Sequence, residues 1–161
     1  MGNVRRQQLI VHIVCLITGS LIYICFRTNT LVMFKWFDNM MLTGAITAIR
    51  EYSFPFRHNL PSWFLYSLPD GLWIASYTCF MLFVWGRNIN FFWLTLLPMI
   101  AILSEIGQLF RVVPGTFDIM DIVFYVAGSF LPLVIFNNLT IPIYSRRFQS
   151  GNFNFNVLSY V

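Results

Sequence analysis

Four long apolar runs constrain what this chain can fold into more than any other feature. The runs cover Leu9–Phe26, Pro69–Trp85, Phe91–Phe110 and Asp118–Phe136. A helix needs about 20 apolar residues to cross the hydrocarbon core of a bilayer. Hydrophobic residues make up 58% of the chain and charged residues only 10%, whereas a soluble domain carries about 25% charged residues. We therefore predict an all-α membrane protein, a four-helix transmembrane bundle that forms one domain over residues 1–161.

The segment between the first two runs predicts a further helix that lies in the membrane interface. Residues 31–49 mix large apolar side chains with Lys35 and Asp38, as interfacial amphipathic helices do. A tilted fifth span is the alternative, and the two charges near the start of the segment disfavour it. Pro55 and Pro61 then predict a loop or a broken helix before the second span.

The second span has a start signal of its own. In Ser67-Leu68-Pro69-Asp70, Ser67 stands at an N-cap position with an acidic residue three positions later, which is the capping-box pattern with Asp in place of Glu. Proline is also well tolerated in the first turn of a helix. The sequence therefore predicts that this helix begins near Pro69.

The two ends of the chain differ in what they predict. The first apolar run is longer than the core of a secretory signal, and no Ala-x-Ala cleavage site follows it, so we expect a retained span. Residues 148–161 contain a short alternation of Asn and Phe. An isolated strand is not stable alone, so we expect a mobile tail there.

All six acidic residues fall at one end of the predicted bundle. With four spans, both termini lie on one side of the membrane, and the first and third loops lie on the other. The acidic residues on the loop side are Asp38, Glu51, Asp70, Glu105, Asp118 and Asp121. Ionisable groups at the ends of membrane spans are costly unless they are paired, so they indicate a functional site.

Helical spacing places several of these groups on common faces. Glu105 and Gln108 are one turn apart and Arg111 is a turn further, while Asp118 leads a second stripe with steps of three and four. Polar stripes in membrane spans face the interior of a bundle. The predicted ligand-binding residues are Asp70, Glu105, Gln108, Arg111, Asp118, Asp121 and Tyr125.

These residues resemble the VanZ-like family of membrane proteins. The family pattern runs Glu-x-x-Gln, then Arg-x-x-Asp-x-x-Asp, then Asn and Gly. The matching positions are Ser104-Glu105, Gln108, Gly115-Thr116-Phe117-Asp118, Asp121 and Gly128. The start of the second span, Leu68-Pro69-Asp70, is also similar, and the resemblance covers about Pro69–Phe136. Two positions depart from the pattern: Gly115 stands where the family's arginine would fall, and Tyr125 stands where the family usually has Asn.

The resemblance implies a bacterial protein of the plasma membrane that is linked to the cell envelope and to low-level resistance to the glycopeptide teicoplanin. No reaction is established for the family. We therefore expect the chain to bind an envelope lipid or a glycopeptide-like ligand at a carboxylate-rich pocket, and to contribute to antibiotic or envelope-stress resistance. Arg111, with Arg57 or Arg50, is expected to hold a phosphate or carboxylate head group.

Two other interpretations stay open. The protein is alternatively a Mg²⁺-dependent lipid-phosphate enzyme or an ion-coupled carrier, with Asp118, Asp121 and Glu105 as the metal ligands. The sequence shows no nucleophile–base pair and no phosphate-binding glycine loop, so we expect neither catalysis nor a resident cofactor. In the other interpretation the cluster only stabilises the fold, with Asp70 and Asp118 at helix N-termini and Arg111 paired with Glu105.

The Lys and Arg residues do not decide the orientation in the membrane. Each side of the predicted bundle carries five of them, so the positive-inside rule gives a tie. We expect cytoplasmic termini, because Arg50 and Arg57 lie in a long segment and Arg111 is expected within the site. Basic residues that are scattered singly or in pairs favour lipid head groups, not nucleic acid, as the acidic partner.

Overall fold

Helices make up the regular structure of the part of the chain that is described. The structure is a computed structural model that describes residues 2–27, 32–86 and 90–136. Its helices are α1 (Gly2–Phe26), α2 (Val32–Asn39), α3 (Thr43–Ser53), a 3₁₀ helix (Phe54–Asn59), α4 (Ser62–Trp85), α5 (Phe91–Leu109) and α6 (Ile119–Ile135). The predicted all-α class is confirmed. The predicted tail over 148–161 lies outside the described residues.

Three of the helices, α1, α4 and α5, are long and apolar enough to cross a membrane. The fourth predicted span, α6, is also apolar but has 17 residues. Its length is about 25 Å at 1.5 Å per residue, against a hydrocarbon core of about 30 Å. The helices expose many large Ile, Leu, Val and Phe side chains, and contiguous apolar surface of this kind is rare in soluble monomers. The architecture is that of a helical membrane protein.

α4 lies at the centre of the bundle. In its most apolar 18-residue stretch 44% of the residues are buried, against 6% in α1 and 17% in α5, because α1, α5 and α6 all pack on it. α1 runs antiparallel to α4. His12 Nδ1 lies 3.0 Å from the Ser76 carbonyl oxygen, and Trp73 Nε1 donates to Ser20 Oγ at 3.3 Å. The C-terminal end of α1 therefore lies beside the N-terminal half of α4.

α4 and α6 run in the same direction and approach each other closely at two glycines. A Cβ atom at Gly71 would lie 2.9 Å from Phe124 Cβ, and one at Gly128 would overlap the Gly71 carbonyl and lie 3.1 Å from Ala75 N. Trp63 also stacks on Phe124 with 5.8 Å between the ring centroids. Helix backbones approach this closely only where side chains are small. The contact brings the first turns of both helices to the same end of the bundle.

α4 begins at Ser62 instead of near Pro69, with Pro61 as its N-cap residue. Ser67 is therefore not an N-cap residue but lies inside the helix, 0% exposed. The apolar residues before Ser67 extend the helix, and their packing outweighs the cost of a proline in its interior. Asp70 thus lies about 12 Å from the start of α4 at a rise of about 1.5 Å per residue.

Two helices, not one, occupy the segment that was predicted as a single interfacial helix over 31–49. The chain turns at Met41, whose φ is +57°, and Thr43 Oγ1 donates to Asp38 Oδ1 at 2.5 Å across the break. Such local hydrogen bonds from Thr and Asp side chains compete with a continuous helix. The 3₁₀ helix that follows α3 contains Pro55, so the helical path is broken before α4, as the prolines predict.

Substitution of Gly128 tests the contact between α4 and α6. We expect Gly128→Ala to lower the free energy of unfolding by about 1–3 kcal/mol, the usual cost of overpacking, because the new methyl group meets helix backbone. The matched control is Gly44→Ala, since Gly44 is also helical and nothing lies within 4 Å of a Cβ atom there. The control should stabilise α3, by about 1 kcal/mol at most. Unfolding in detergent micelles measures both, and equal effects would contradict the contact.

Candidate functional site

One end of the bundle gathers polar groups from four helices. α1 and α5 end there, whereas α4 and α6 begin there. Contacts at both ends of α5 fix this arrangement, because Tyr77 donates to the Trp93 carbonyl near its start, and Glu105 accepts from the Asp118 backbone near its end. The four carboxylates predicted for the site belong to the helices that meet here, and they are Asp70, Glu105, Asp118 and Asp121.

Arg27 is the cation that pairs with Asp70. Arg27 Nη2 lies 3.6 Å from Asp70 Oδ2 and donates to the Tyr66 carbonyl at 3.2 Å. The guanidinium carbon also lies 5.2 Å from the ring centroids of Tyr23 and Tyr66, within the range of cation–π contacts. The Arg27 and Asp70 side chains are only 26% and 20% exposed. Loss of either charge would leave the other poorly solvated and without its partner.

Glu105 is the most buried carboxylate of the site, at 4% exposed. It lies near the C-terminal end of α5, where the helix dipole disfavours an acid, so it needs hydrogen bonds. Glu105 Oε1 accepts from Gln108 Nε2 at 3.0 Å, and Oε2 accepts from the backbone N–H of Asp118 at 3.5 Å. Gly115, with a φ of +147°, packs so closely on Gln108 that a Cβ atom would overlap its amide. The turn before α6 thus holds Gln108 against Glu105.

Asp118 and Asp121 are placed differently although they are one turn apart. Asp118 is the exposed N-cap residue of α6, and its Oδ1 accepts from Met120 N at 2.9 Å. This hydrogen bond is a normal N-cap contact, worth about 1 kcal/mol. Asp121 lies in the first turn of α6 and is half-buried. Asp118 caps α6 without help from Asp121, so the Asp121 carboxylate is not needed for the cap.

Three buried polar atoms at this end have no hydrogen-bond partner within the described ranges. They are Arg27 Nε, Ser67 Oγ and Asp121 Oδ1. Buried polar atoms are nearly always paired, and each unpaired one costs about 1–3 kcal/mol. Arg27 Nε belongs to the Arg27–Asp70 pair, and Ser67 lies one helical turn before Asp70 on α4.

The charged groups form one electrostatic cluster. The charges of Arg27, Asp121 and Glu105 all act on Asp70, and the same four groups act on the hydroxyl of Tyr125, a buried residue. We call Asp70, Glu105 and Asp121, with Arg27 and Tyr125, the carboxylate cluster. Among the described residues Arg27 forms an ion pair with Asp70 alone, so Asp121 Oδ1 is left without a donor.

Most residues of the predicted site meet in the structure, but Arg111 does not join them. It is exposed in the turn after α5 and has a φ of +59°. α5 ends at Leu109, so the helical step that relates Glu105, Gln108 and Arg111 does not continue that far. Within the described residues, Arg111 forms no ion pair with a carboxylate.

Arg27 is the residue of the site that the sequence did not point to. Arg27 directly follows the first apolar run, and the sequence identifies it only as one of the basic residues of the first loop. The sequence feature that could have identified Arg27 is its position four residues after Tyr23, which places an aromatic ring on the same helical face. Its partner Asp70 is distant in sequence, so only the packing of α1 on α4 shows the pair.

The described residues contain no group of three or more His, Cys, Asp or Glu side chains that is arranged to hold a metal ion. Glu105, Asp118 and Asp121, the residues predicted for Mg²⁺, are therefore not grouped as a ligand set. Asp118 caps α6, and Glu105 is turned toward Gln108 and the Asp118 backbone.

Comparisons with protein-family models, with curated proteins and with solved structures find no match to this chain.

A double-mutant cycle tests the Arg27–Asp70 pair. We expect Arg27→Gln to destabilise the protein by less than the roughly 3–5 kcal/mol typical of fully buried pairs, because both side chains are partly exposed. Adding Asp70→Asn should recover part of the loss, with a coupling energy of about 0.5–3 kcal/mol. Unfolding in detergent micelles measures all four forms. Additive effects of the two substitutions would mean that the side chains do not interact.

Proposed function

We propose that this chain is a multi-pass bacterial membrane protein of the VanZ-like type that binds an envelope lipid or a glycopeptide-like ligand at the carboxylate cluster. The observation that carries the proposal is the presence of buried polar atoms without a partner in the described residues, among them Ser67 Oγ and Asp121 Oδ1. Such atoms lower stability, and a polar ligand group that pairs with them would recover the loss.

The cluster favours ligand groups that donate hydrogen bonds. Ionised carboxylates only accept hydrogen bonds, so Asp70, Glu105 and Asp121 suit hydroxyl and ammonium groups. Arg27 adds a charged donor for a carbonyl or phosphate oxygen. Sugar hydroxyls, amines and acyl or phosphate oxygens occur together in the head groups of envelope lipids and in glycopeptides. This combination of groups is the chemistry that the proposed site would recognise.

In the proposal, α6 is the fourth span, and α2 and α3 lie in the membrane interface. A span shorter than the hydrocarbon core is tolerated through local thinning of the bilayer. Aromatic side chains collect at membrane interfaces, and those exposed at this end include Trp36, Tyr52, Phe54, Phe56 and Trp63. The cluster then lies near the level of the lipid head groups. Cytoplasmic termini put it at the outer face of the plasma membrane, where envelope lipids and glycopeptides meet the cell.

A purely structural role for the cluster explains fewer of the observations. The first turn of α6 is already capped by Asp118, so Asp121 is not needed there. Asp70 lies about 12 Å along α4, beyond the first turn in which a helix dipole favours an acid. Glu105 is near the wrong end of α5 for that dipole. Arg27 pairs with Asp70, and Gln108 donates to Glu105, so Asp121 is the acid for which a ligand supplies the missing partner.

Arg27 accounts for one departure from the VanZ-like pattern. The family's arginine would fall at Gly115, but a side chain at that position would overlap Gln108. In the proposal, Arg27 supplies the guanidinium from α1 instead. Ligand binding at the cluster is then the means by which the protein contributes to antibiotic or envelope-stress resistance.

Thermal unfolding in lipid nanodiscs tests the proposed function. Teicoplanin and a polyprenyl phosphate are the two probes, each added with and without Mg²⁺. We expect at least one of them to stabilise the wild type, by about 2.7 kcal/mol at 100 times its dissociation constant. Asp121→Asn should weaken the stabilisation, because it removes the negative charge and replaces one acceptor oxygen with an NH₂ donor. Asp38→Asn is the matched control, since Asp38 is exposed on α2.

Two results would contradict ligand binding at the cluster. One is the absence of stabilisation of the wild type by either probe. The other is a stabilisation of equal size in the wild type and in a folded Asp121→Asn variant. Stabilisation that requires Mg²⁺ would support the metal-dependent alternative instead.

A further inference from the structure

A polar cavity lies beside the carboxylate cluster and includes none of its carboxylates. It has a volume of about 320 Å³ and opens between the end of α1, α3 and the 3₁₀ helix. Its polar lining comes from Thr47, Arg50, Glu51 and Arg57, and its aromatic lining comes from Phe26 and Phe54. The volume is in the range of small-molecule sites, about 300–1,000 Å³.

Arg50 is held firmly at the wall of this cavity. Its Nη1 donates to the Ile24 carbonyl at 2.5 Å and its Nη2 donates to the Arg27 carbonyl at 2.6 Å. These are backbone carbonyls at the C-terminal end of α1, where the helix dipole favours a cation. The guanidinium carbon also lies 5.0 Å from the ring centroid of Phe34. The Arg50 charge is therefore fixed in position by groups that do not carry a full negative charge.

Arg57 places a second cation at the same cavity. It is half-buried, and its Nη2 donates to the Tyr66 hydroxyl at 3.3 Å. Neither Arg50 nor Arg57 has a carboxylate within 4.0 Å in the part of the chain that the structure describes, although Glu51 lines the same cavity. Burial lowers the pKa of Arg50, and the neighbouring charge of Arg57 lowers it further. Two guanidinium groups that line one cavity favour an anion within it.

We propose that this cavity binds a phosphate group, carried by the head group of an anionic lipid. Guanidinium groups bind phosphate through paired, charge-assisted hydrogen bonds. The surroundings of the cavity favour a lipid over a soluble phosphate, because aromatic side chains of this kind lie at membrane interfaces. Phe54, which lines the cavity, is 61% exposed, and its chain neighbours Tyr52 and Phe56 are 80% and 55% exposed. These residues form the phosphate site, and the site does not depend on a ligand at the carboxylate cluster.

Lipid retention measured by native mass spectrometry tests the phosphate site. The protein is released from nanodiscs that contain phosphatidylglycerol and phosphatidylcholine, and the bound lipid is identified. We expect the wild type to retain phosphatidylglycerol and Arg57→Gln to bind it about tenfold more weakly, the value of one charge-assisted hydrogen bond. Arg57→Gln should fold, because the hydrogen bond given up is the single one to Tyr66. Lys35→Gln removes the same charge from exposed α2 and should retain the lipid.

Two further measurements distinguish a lipid phosphate from a soluble phosphate, and distinguish the phosphate site from the carboxylate cluster. If inorganic phosphate does not displace the bound phosphatidylglycerol, the cavity is a lipid site. Displacement by inorganic phosphate would overturn the lipid assignment in favour of a soluble phosphate. Asp121→Asn should keep the lipid, so failure of the carboxylate cluster as a ligand site leaves this result unchanged. Equal retention of phosphatidylglycerol by wild type and Arg57→Gln would overturn the phosphate site.

Discussion

The close contact of α4 with α6 at Gly71 and Gly128 is the constraint on which the polar end of the bundle depends. Two parallel helices whose backbones touch must begin at the same end, so Asp70 and Asp121 are brought together although they are far apart in sequence. The tight turn before α6 then places Glu105 of α5 beside the start of α6. A bulkier residue at either glycine would push α4 and α6 apart and would separate the residues of the carboxylate cluster.

Two sites of opposite charge lie next to each other at this end, and they are linked through shared residues. Arg57 donates to the Tyr66 hydroxyl, while Arg27 donates to the Tyr66 carbonyl. Arg50 in turn donates to the Arg27 carbonyl, so the cation beside Asp70 is held by the cation that lines the phosphate cavity. A phosphate in the cavity and a hydrogen-bond donor at the carboxylates would therefore stabilise one continuous network. Membrane lipids carry both kinds of group.

The sequence predicts the apolar helices well because length and hydropathy are properties of a continuous stretch. α5 and α6 begin and end within one residue of the predicted limits, and the shared end of the carboxylates follows from the number of spans alone. The features that the sequence does not predict are those that depend on tertiary packing. Burial of the segment before Pro69 extends α4 to Ser62, against the capping signal at Ser67. The pairing of Arg27 with Asp70 requires α1 to pack on α4, and local spacing instead suggested Arg111.

Carbodiimide labelling of the carboxylates, read out by peptide mass spectrometry, tests most directly whether the carboxylate cluster is a ligand site. The protein in nanodiscs would be labelled with and without teicoplanin or a polyprenyl phosphate, with exposed Asp38 as the internal reference. We expect one of these ligands to protect Asp121 and to leave the labelling of Asp38 unchanged. Equal labelling of Asp121 with and without both ligands would contradict it, and the cluster would then be part of the scaffold.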